Sequence, residues 1–275
     1  MIKILAIGNS FSEDATAYLH QLAKAGGVDT KVVNLYIGGC DLETHWANCE
    51  GALPAYRYQC NGAMTDRMVS VKEMLTEGKW DMVTFQQASR DSGVMESYRP
   101  YLRNLSAYVK RHCPDAVQWI HQTWAYELDS EHEGFARYHN DQEEMYRALK
   151  SCYQAQAEEM GLPLIPTGDV LQALRECPHF YYELGGDSLC RDGVHLQLSY
   201  GRFAAAAVWY ETLLGGDIRE NPYMPPFHFI GDTMEPDFMQ EISRKGQAVL
   251  QNPVVQGKLN RIRETVHASL SHGAG

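Results

Sequence analysis

No stretch of this chain approaches the ~20 apolar residues that a membrane-spanning helix needs, so no transmembrane segment and no membrane partner are expected. The apolar run from Ile2 to Ile7 is too short for a signal peptide and leads straight into a Gly-Asn-Ser turn, which points to a cytoplasmic protein. Cations are in deficit. Lys and Arg number 24 against 35 Asp and Glu, the net charge is −11, and basic residues nowhere run together. Binding to a phosphate backbone needs a basic patch, so a nucleic-acid partner is excluded. The seven cysteines include no Cys-x-x-Cys pair, which argues against a zinc ribbon or a thioredoxin-type site. Reduced thiols are the simpler reading, although Cys40, Cys49 and Cys60 share one loop-rich stretch, where export would favour a disulfide. His132-Glu133 resembles the start of a zinc-protease helix, but no second His stands at the required spacing. No metal and no organic cofactor are expected. Internal repeats and low-complexity tracts are also absent.

What is present is an alternation of strand and helix signals. The length of 275 residues suits one large α/β domain or two small ones, and an apolar content of 44 % is ample for a core. Strands are expected at Ile2 to Ile7, Lys31 to Ile37, Trp80 to Phe85, Val117 to His121 and Leu162 to Pro166. Helices are expected at Asp14 to Lys24, Met64 to Glu77, Pro100 to His112, Gly134 to Met160, Gly168 to Glu176 and Tyr200 to Leu214. This pattern predicts an α/β fold, a three-layer α/β/α sandwich with a parallel sheet of about five strands. Residues 1–220 form that domain. Residues 221–275 open on a Pro-rich run, Asn221 to Pro226, and read as a helical extension packed on the same core, with helices at Asp237 to Leu250 and Val254 to Leu270. Cys40 to Ala63 shows little periodicity.

Two short runs carry chemistry. Ile4 to Ser12 is an apolar strand that delivers Gly8, Asn9 and Ser10 at its carboxyl end. Cys190 to Leu196 contains Asp192-Gly193-Val194-His195. The order is Ser…Asp…His, with acid and base on one segment. A serine hydroxyl becomes a nucleophile when a base takes its proton and a carboxylate orients that base. Gly193 permits the bend that brings carboxylate to imidazole. The plainer alternatives are that Ser10 or Ser12 caps a helix, and that Asp192 and His195 are a turn acid and one of eleven histidines. Gly-x-Ser-x-Gly is missing because position 12 is Ser, which disfavours the α/β-hydrolase nucleophile elbow.

Together these runs resemble the SGNH (GDSL-like) hydrolase superfamily, of flavodoxin-like architecture. Its first block, Gly-Asp-Ser, is matched by Gly8-Asn9-Ser10, with Asn in place of Asp. Its last block, Asp-x-x-His, is matched by Asp192 to His195. The resemblance implies that Ser10 is the nucleophile, His195 the base and Asp192 its orienting acid. It also implies an oxyanion hole from the N–H of Ser10, the N–H of a second-block glycine and a third-block side-chain amide. Gly39, in Gly38-Gly39, is the better second-block match. The third block, Gly-x-Asn-Asp, is absent. Phe85-Gln-Gln-Ala-Ser89 stands in its place, with Gln87 preferred over Gln86 as donor. Taken alone, Gly38-Gly39 reads equally as a turn and the Gln pair as a polar strand end.

Aromatics cluster in loops after the strands. Trp46, Trp124 and Tyr126 are candidate walls for a sugar or acyl group, and His45 for a substrate hydroxyl. Aromatics covering a core edge are the competing reading. The expected activity is hydrolysis of small esters through a Ser-His-Asp triad. The resemblance favours an acetyl ester of a carbohydrate, with a short-chain lipid ester as the alternative. A non-catalytic carbohydrate-binding or scaffold protein of the same fold is the rival.

Overall fold

The computed structural model describes residues 1–226 and 252–271. One mixed sheet runs through it, in the order β4-β3-β2-β1-β5-β6-β7. The strands are β1 (Ile2–Gly8), β2 (Thr30–Tyr36), β3 (Tyr56–Cys60), β4 (Ala63–Val69), β5 (Met82–Phe85), β6 (Val117–His121) and β7 (Leu164–Ile165). β2, β1, β5, β6 and β7 are parallel to one another, at the five positions the sequence suggests. β3 and β4 add an antiparallel hairpin. The sheet therefore has seven strands rather than about five.

The hairpin explains the discrepancy. Asn61 and Gly62 both have positive φ (53° and 82°), the pairing of a two-residue hairpin turn that follows the sheet's twist. A Cβ at Gly62 would meet the Ala17 carbonyl at 2.2 Å. The stretch from Met64 to Val69, expected as the start of a helix, is an edge strand. Ser70 then caps α4 (Val71–Glu77) in a reciprocal box with Glu73.

Helices cover both faces. On one, α1 (Ser10–Thr16) and α2 (Leu19–Ala25) pack against α8 (Tyr200–Leu214), with α7 (Thr167–Arg175) alongside. On the other, α3 (Leu42–Glu50), α4 and α5 (Tyr101–His112) pack together. α8 is apolar nearly all round, and Phe203 to Tyr210 is buried throughout, as a helix inside a core must be. The long helix expected over 134–160 is shorter. A 3-10 segment (Glu133–Tyr138) leads to His139 and Asn140 in left-handed conformation, and Asp141 caps α6 (Gln142–Met160).

α9 (Pro253–Ser271) buries Leu259, Ile262 and Val266 against α7 and α8. Burying side chains of this size is worth about 1.5–3 kcal/mol each. The helix expected at 237–250 lies outside the described residues.

β1 is flanked by β2 on one side and β5 on the other, so the connections leave it in opposite directions. Parallel sheets bind ligands at such a switch point, beyond the strand carboxyl ends. Gly8, Asn9 and Ser10 lie there.

Candidate active site

Asn9 follows β1 in extended conformation and caps α1. Its Oδ1 accepts the Phe11 N–H at 2.9 Å. Ser12 faces inward, with its Oγ accepting the Asn9 N–H and lying 2.7 Å from Asn34 Oδ1. It is buried and serves the helix start. A Cβ at Gly8 would meet Ser12 Oγ at 2.2 Å, so glycine is required for the close turn.

Ser10 is the first residue of α1, and its Oγ lies 2.9 Å from His195 Nε2. His195 Nδ1 lies 2.7 Å from Asp192 Oδ2. The other carboxylate oxygen, Oδ1, accepts the N–H of Val194 at 3.0 Å and of His195 at 2.7 Å. Partial burial pushes the Asp192 carboxyl up, but the His195 backbone and ring N–H groups and the Val194 N–H outweigh it, holding it below the usual carboxylate value. An ionised Asp192 fixes the proton on Nδ1 and leaves Nε2 to accept from Ser10. Gly193 turns this segment at φ +76°, where a Cβ would meet Ser130 Cα at 2.8 Å. Phe11 stacks on Trp124 at 4.2 Å and approaches the His195 ring at 6.0 Å.

These groups open onto a cleft of about 220 Å³, lined also by Gly39, Ser89, Arg90 and His132. Gly39 has φ +62°, and Arg90 Nη1 donates to its carbonyl at 3.1 Å. The N–H groups of Ser10 and Gly39 have no hydrogen-bond partner among the described residues. A larger cavity of about 680 Å³, walled by α8 and α9, shares no residue with this cleft. There Glu211, Asp217 and His267 place one donor atom each within 4.8 Å of one another. Asp217 already pairs with Arg219, and Glu211 accepts the Ile218 N–H.

The family model of DUF4886, described as a domain of unknown function, matches residues 3–229. The chain belongs to the DUF4886 family. A crystal structure of a DUF4886 protein from Bacteroides uniformis is 33 % identical, over 100 % of this chain and 96 % of that one, at a TM-score of 0.81. A candidate SGNH hydrolase from Slackia heliotrinireducens is 21 % identical, over 77 % of this chain and 98 % of its own, at a TM-score of 0.52. The fold of this DUF4886 protein is thus that of the SGNH hydrolases. No curated protein matches it.

Within this DUF4886 site, Gln87 does not reach the cleft, contrary to the sequence expectation. Its Oε1 accepts the N–H of Leu42 and of Ala88, and its Nε2 donates to the carbonyl and hydroxyl of Ser97. β5 ends at Phe85, so strand alternation no longer decides which way these side chains point. Gln87 instead ties the start of α3 to the segment after β5. Gln86 lies beneath the Gly8-Asn9-Ser10 turn. Its Nε2 donates to Asn9 Oδ1 at 2.7 Å, and its Oε1 lies 2.7 Å from His121 Nδ1. Burial holds the His121 imidazole down to about 3, so the neutral ring donates to Gln86 from Nδ1.

That chain explains why the DUF4886 sequence carries Asn at position 9. Asn9 Nδ2 donates to the Cys40 carbonyl at 2.9 Å, which fastens the turn before Ser10 to the residue following Gly39. Aspartate keeps both acceptor contacts but turns the third into an oxygen facing an oxygen. Asn9→Asp should therefore lower kcat by about 10-fold or more through the loosened Gly39 loop, since small displacements of catalytic groups are costly. Steady-state kinetics check this, and an unchanged kcat would contradict the assigned role of the Cys40 contact.

Most of the aromatic wall expected from sequence is interior, Trp46 being half-buried. Trp124 is fully buried, with Nε1 donating to the Val194 carbonyl, so it supports the Asp192–His195 loop from below. Tyr126 is fully buried, with its hydroxyl 2.8 Å from Ser89 Oγ. His45 is enclosed against Tyr56 and Cys40, and burial holds it down to about 4. Trp46 packs edge-on against Tyr108. Ser89, Arg90 and His132 went unassigned, although each follows the carboxyl end of a parallel strand, where sites of this fold class form.

Proposed function

We propose that this protein is a serine-dependent carboxylic ester hydrolase acting on small acyl esters, acetyl first, of a carbohydrate or similar polyhydroxylated alcohol. The observation that carries the reading is the unbroken chain Asp192–His195–Ser10, at 2.7 and 2.9 Å, opening on a cleft beside two open backbone N–H groups.

Ser10 Oγ attacks the acyl carbon while its proton passes to His195 Nε2. The oxyanion forms within reach of the Ser10 and Gly39 N–H groups, each such donor being worth ~3 kcal/mol of barrier. His195 returns the proton to the departing alcohol, leaving an acyl-Ser10 ester. Water then attacks that ester with His195 again taking the proton, and the acid leaves. A cleft of about 220 Å³ suits a short acyl group. Its apolar lining is limited to Phe11, Ala88 and Val194, too little for a long acyl chain, whereas Ser89, Arg90 and His132 offer polar contacts to the alcohol.

The test is turnover of p-nitrophenyl acetate against the octanoate ester, followed by a screen of acetylated sugars. We expect kcat/KM to favour acetate by about 10-fold or more. No turnover of any ester would overturn the reading, and a preference for octanoate would redirect it to lipid esters.

The pH profile follows from the same groups. A protonated imidazole cannot accept the serine proton, so kcat/KM falls toward acid pH. Asp192, held below the usual carboxylate value, stays ionised as the pH falls through the ordinary carboxylate range. Its protonation should therefore add no second proton to the acid limb there, which should keep unit slope on a logarithmic plot. A limb governed by two protons in that range would contradict this.

A further inference from the structure

Asp14 is fully buried, carries no part of the proposed chemistry, and stands one helical turn after Ser10. Residues four apart on a helix share a face, so Asp14 meets the same segment that Ser10 meets. Its Oδ2 accepts the Leu196 N–H at 2.7 Å. Both oxygens lie 3.1 Å from Arg191 Nη1. Arg202 of α8 donates to Oδ1 through Nε at 2.8 Å and Nη2 at 2.7 Å. Arg191 Nη1 also donates to the Leu196 carbonyl, and the Arg191 N–H donates to the His195 carbonyl at 2.8 Å. Cys190 and Leu196 form a bridge that closes the segment on itself. The loop carrying Asp192 and His195 is therefore a small closed unit, gripped at both ends by one carboxylate on the nucleophile's own helix.

We propose that Asp14 is a positioning residue that sets the distance between Ser10 Oγ and His195 Nε2, a role that rests on the ester-hydrolase reading. Triad geometry would otherwise depend on a partly exposed loop docking against a helix start. The buried carboxylate gives that docking three directed contacts. Without its charge, Arg191 and Arg202 face each other uncompensated, and of the carboxylate's contacts to the loop the Leu196 N–H is the one that remains.

Asp14→Asn keeps the size and one acceptor and removes the charge. In the full chain, p-nitrophenyl acetate should be turned over about 100-fold more slowly in kcat, as expected for a misplaced catalytic pair, with KM little changed. A fluorophosphonate probe should still label Ser10 stoichiometrically, only more slowly. A merely structural role gives the opposite signature: a smaller labelled fraction whose members react at the wild-type rate. Should Asp14→Asn fail to fold, Arg191→Lys keeps the charge but loses the reach to both Asp14 and Leu196, and should show the same signature at about 10-fold. Arg202→Lys touches Asp14 but not the loop, so it should lower Tm without slowing labelling. Wild-type rates per labelled site in Asp14→Asn or Arg191→Lys overturn the proposal, as does equal slowing in Arg202→Lys. A wild-type protein that neither turns over ester nor labels overturns the hydrolase reading itself, which separates the two failures.

Discussion

Ser10→Ala should reduce ester hydrolysis by about 10⁴-fold or more while leaving the fold intact. The loss is large because the hydroxyl is the covalent route itself, and catalytic groups that act as a unit are not replaced by their neighbours. Stability should change little. Among the described residues the Ser10 hydroxyl bonds only to His195, at the surface of the cleft, and the cap of α1 is supplied by Asn9 rather than by Ser10. Circular dichroism and Tm close to wild type, together with lost turnover and lost fluorophosphonate labelling, are the expected set. Ser12 offers no detour, since it is buried and its hydroxyl is engaged with Asn9 and Asn34. Retained activity in Ser10→Ala would sink the triad assignment.

His195→Ala should be almost as damaging, at about 10³-fold or more, and Asp192→Ala milder by roughly a factor of ten or more. The imidazole moves the proton in every step, whereas the carboxylate orients it and stabilises its charged form. Removing the His195 ring leaves a space beside Ser10 Oγ that is open to solvent on the cleft side. Added imidazole should therefore restore part of the activity of His195→Ala, with a rate that rises with imidazole concentration and again falls toward acid pH. Asp192→Ala should not respond, because its ring is still present. Equal rescue of both variants would mean that imidazole acts in solution rather than at the site.

The parallel half of the fold was legible because a strand buried on both faces writes a continuous apolar run, as Ile4 to Ile7 does, and because α8 is apolar around its whole circumference. The antiparallel hairpin was harder to read. β4 is an edge strand whose residues are mostly exposed, so no alternation survives in Met64 to Met68. The Asn61-Gly62 turn was its one clear mark. At the site, Ser10, Asp192 and His195 could be named because their types and local spacing carry the chemistry. Gln87 was misplaced because its direction depends on where β5 stops and on a partner, Ser97, ten residues on. His45, Trp124 and Tyr126 sat in the right loops, but the sequence says nothing of depth, and all three turned inward. Asp14 was invisible for another reason. Its partners lie 177 to 188 residues away, and only tertiary packing brings them to it.

Those same separations order events in time. On the proposed chemistry, Ser10 leaves the ribosome 185 residues ahead of its base, His195. At translation speeds of roughly 5–20 residues per second, Ser10 waits on the order of ten seconds or more with no base beside it. During that interval the early strands and helices can already bury apolar surface, yet the nascent chain cannot attack an ester. Asp14, the first half of its clamp, is buried only once residues 191–202 arrive, so until then its charge remains hydrated and costs the nascent chain nothing. If Ser10 and His195 act as proposed, reactivity is switched on by the same long-range closure that completes the core, and an incompletely folded chain is inert by construction.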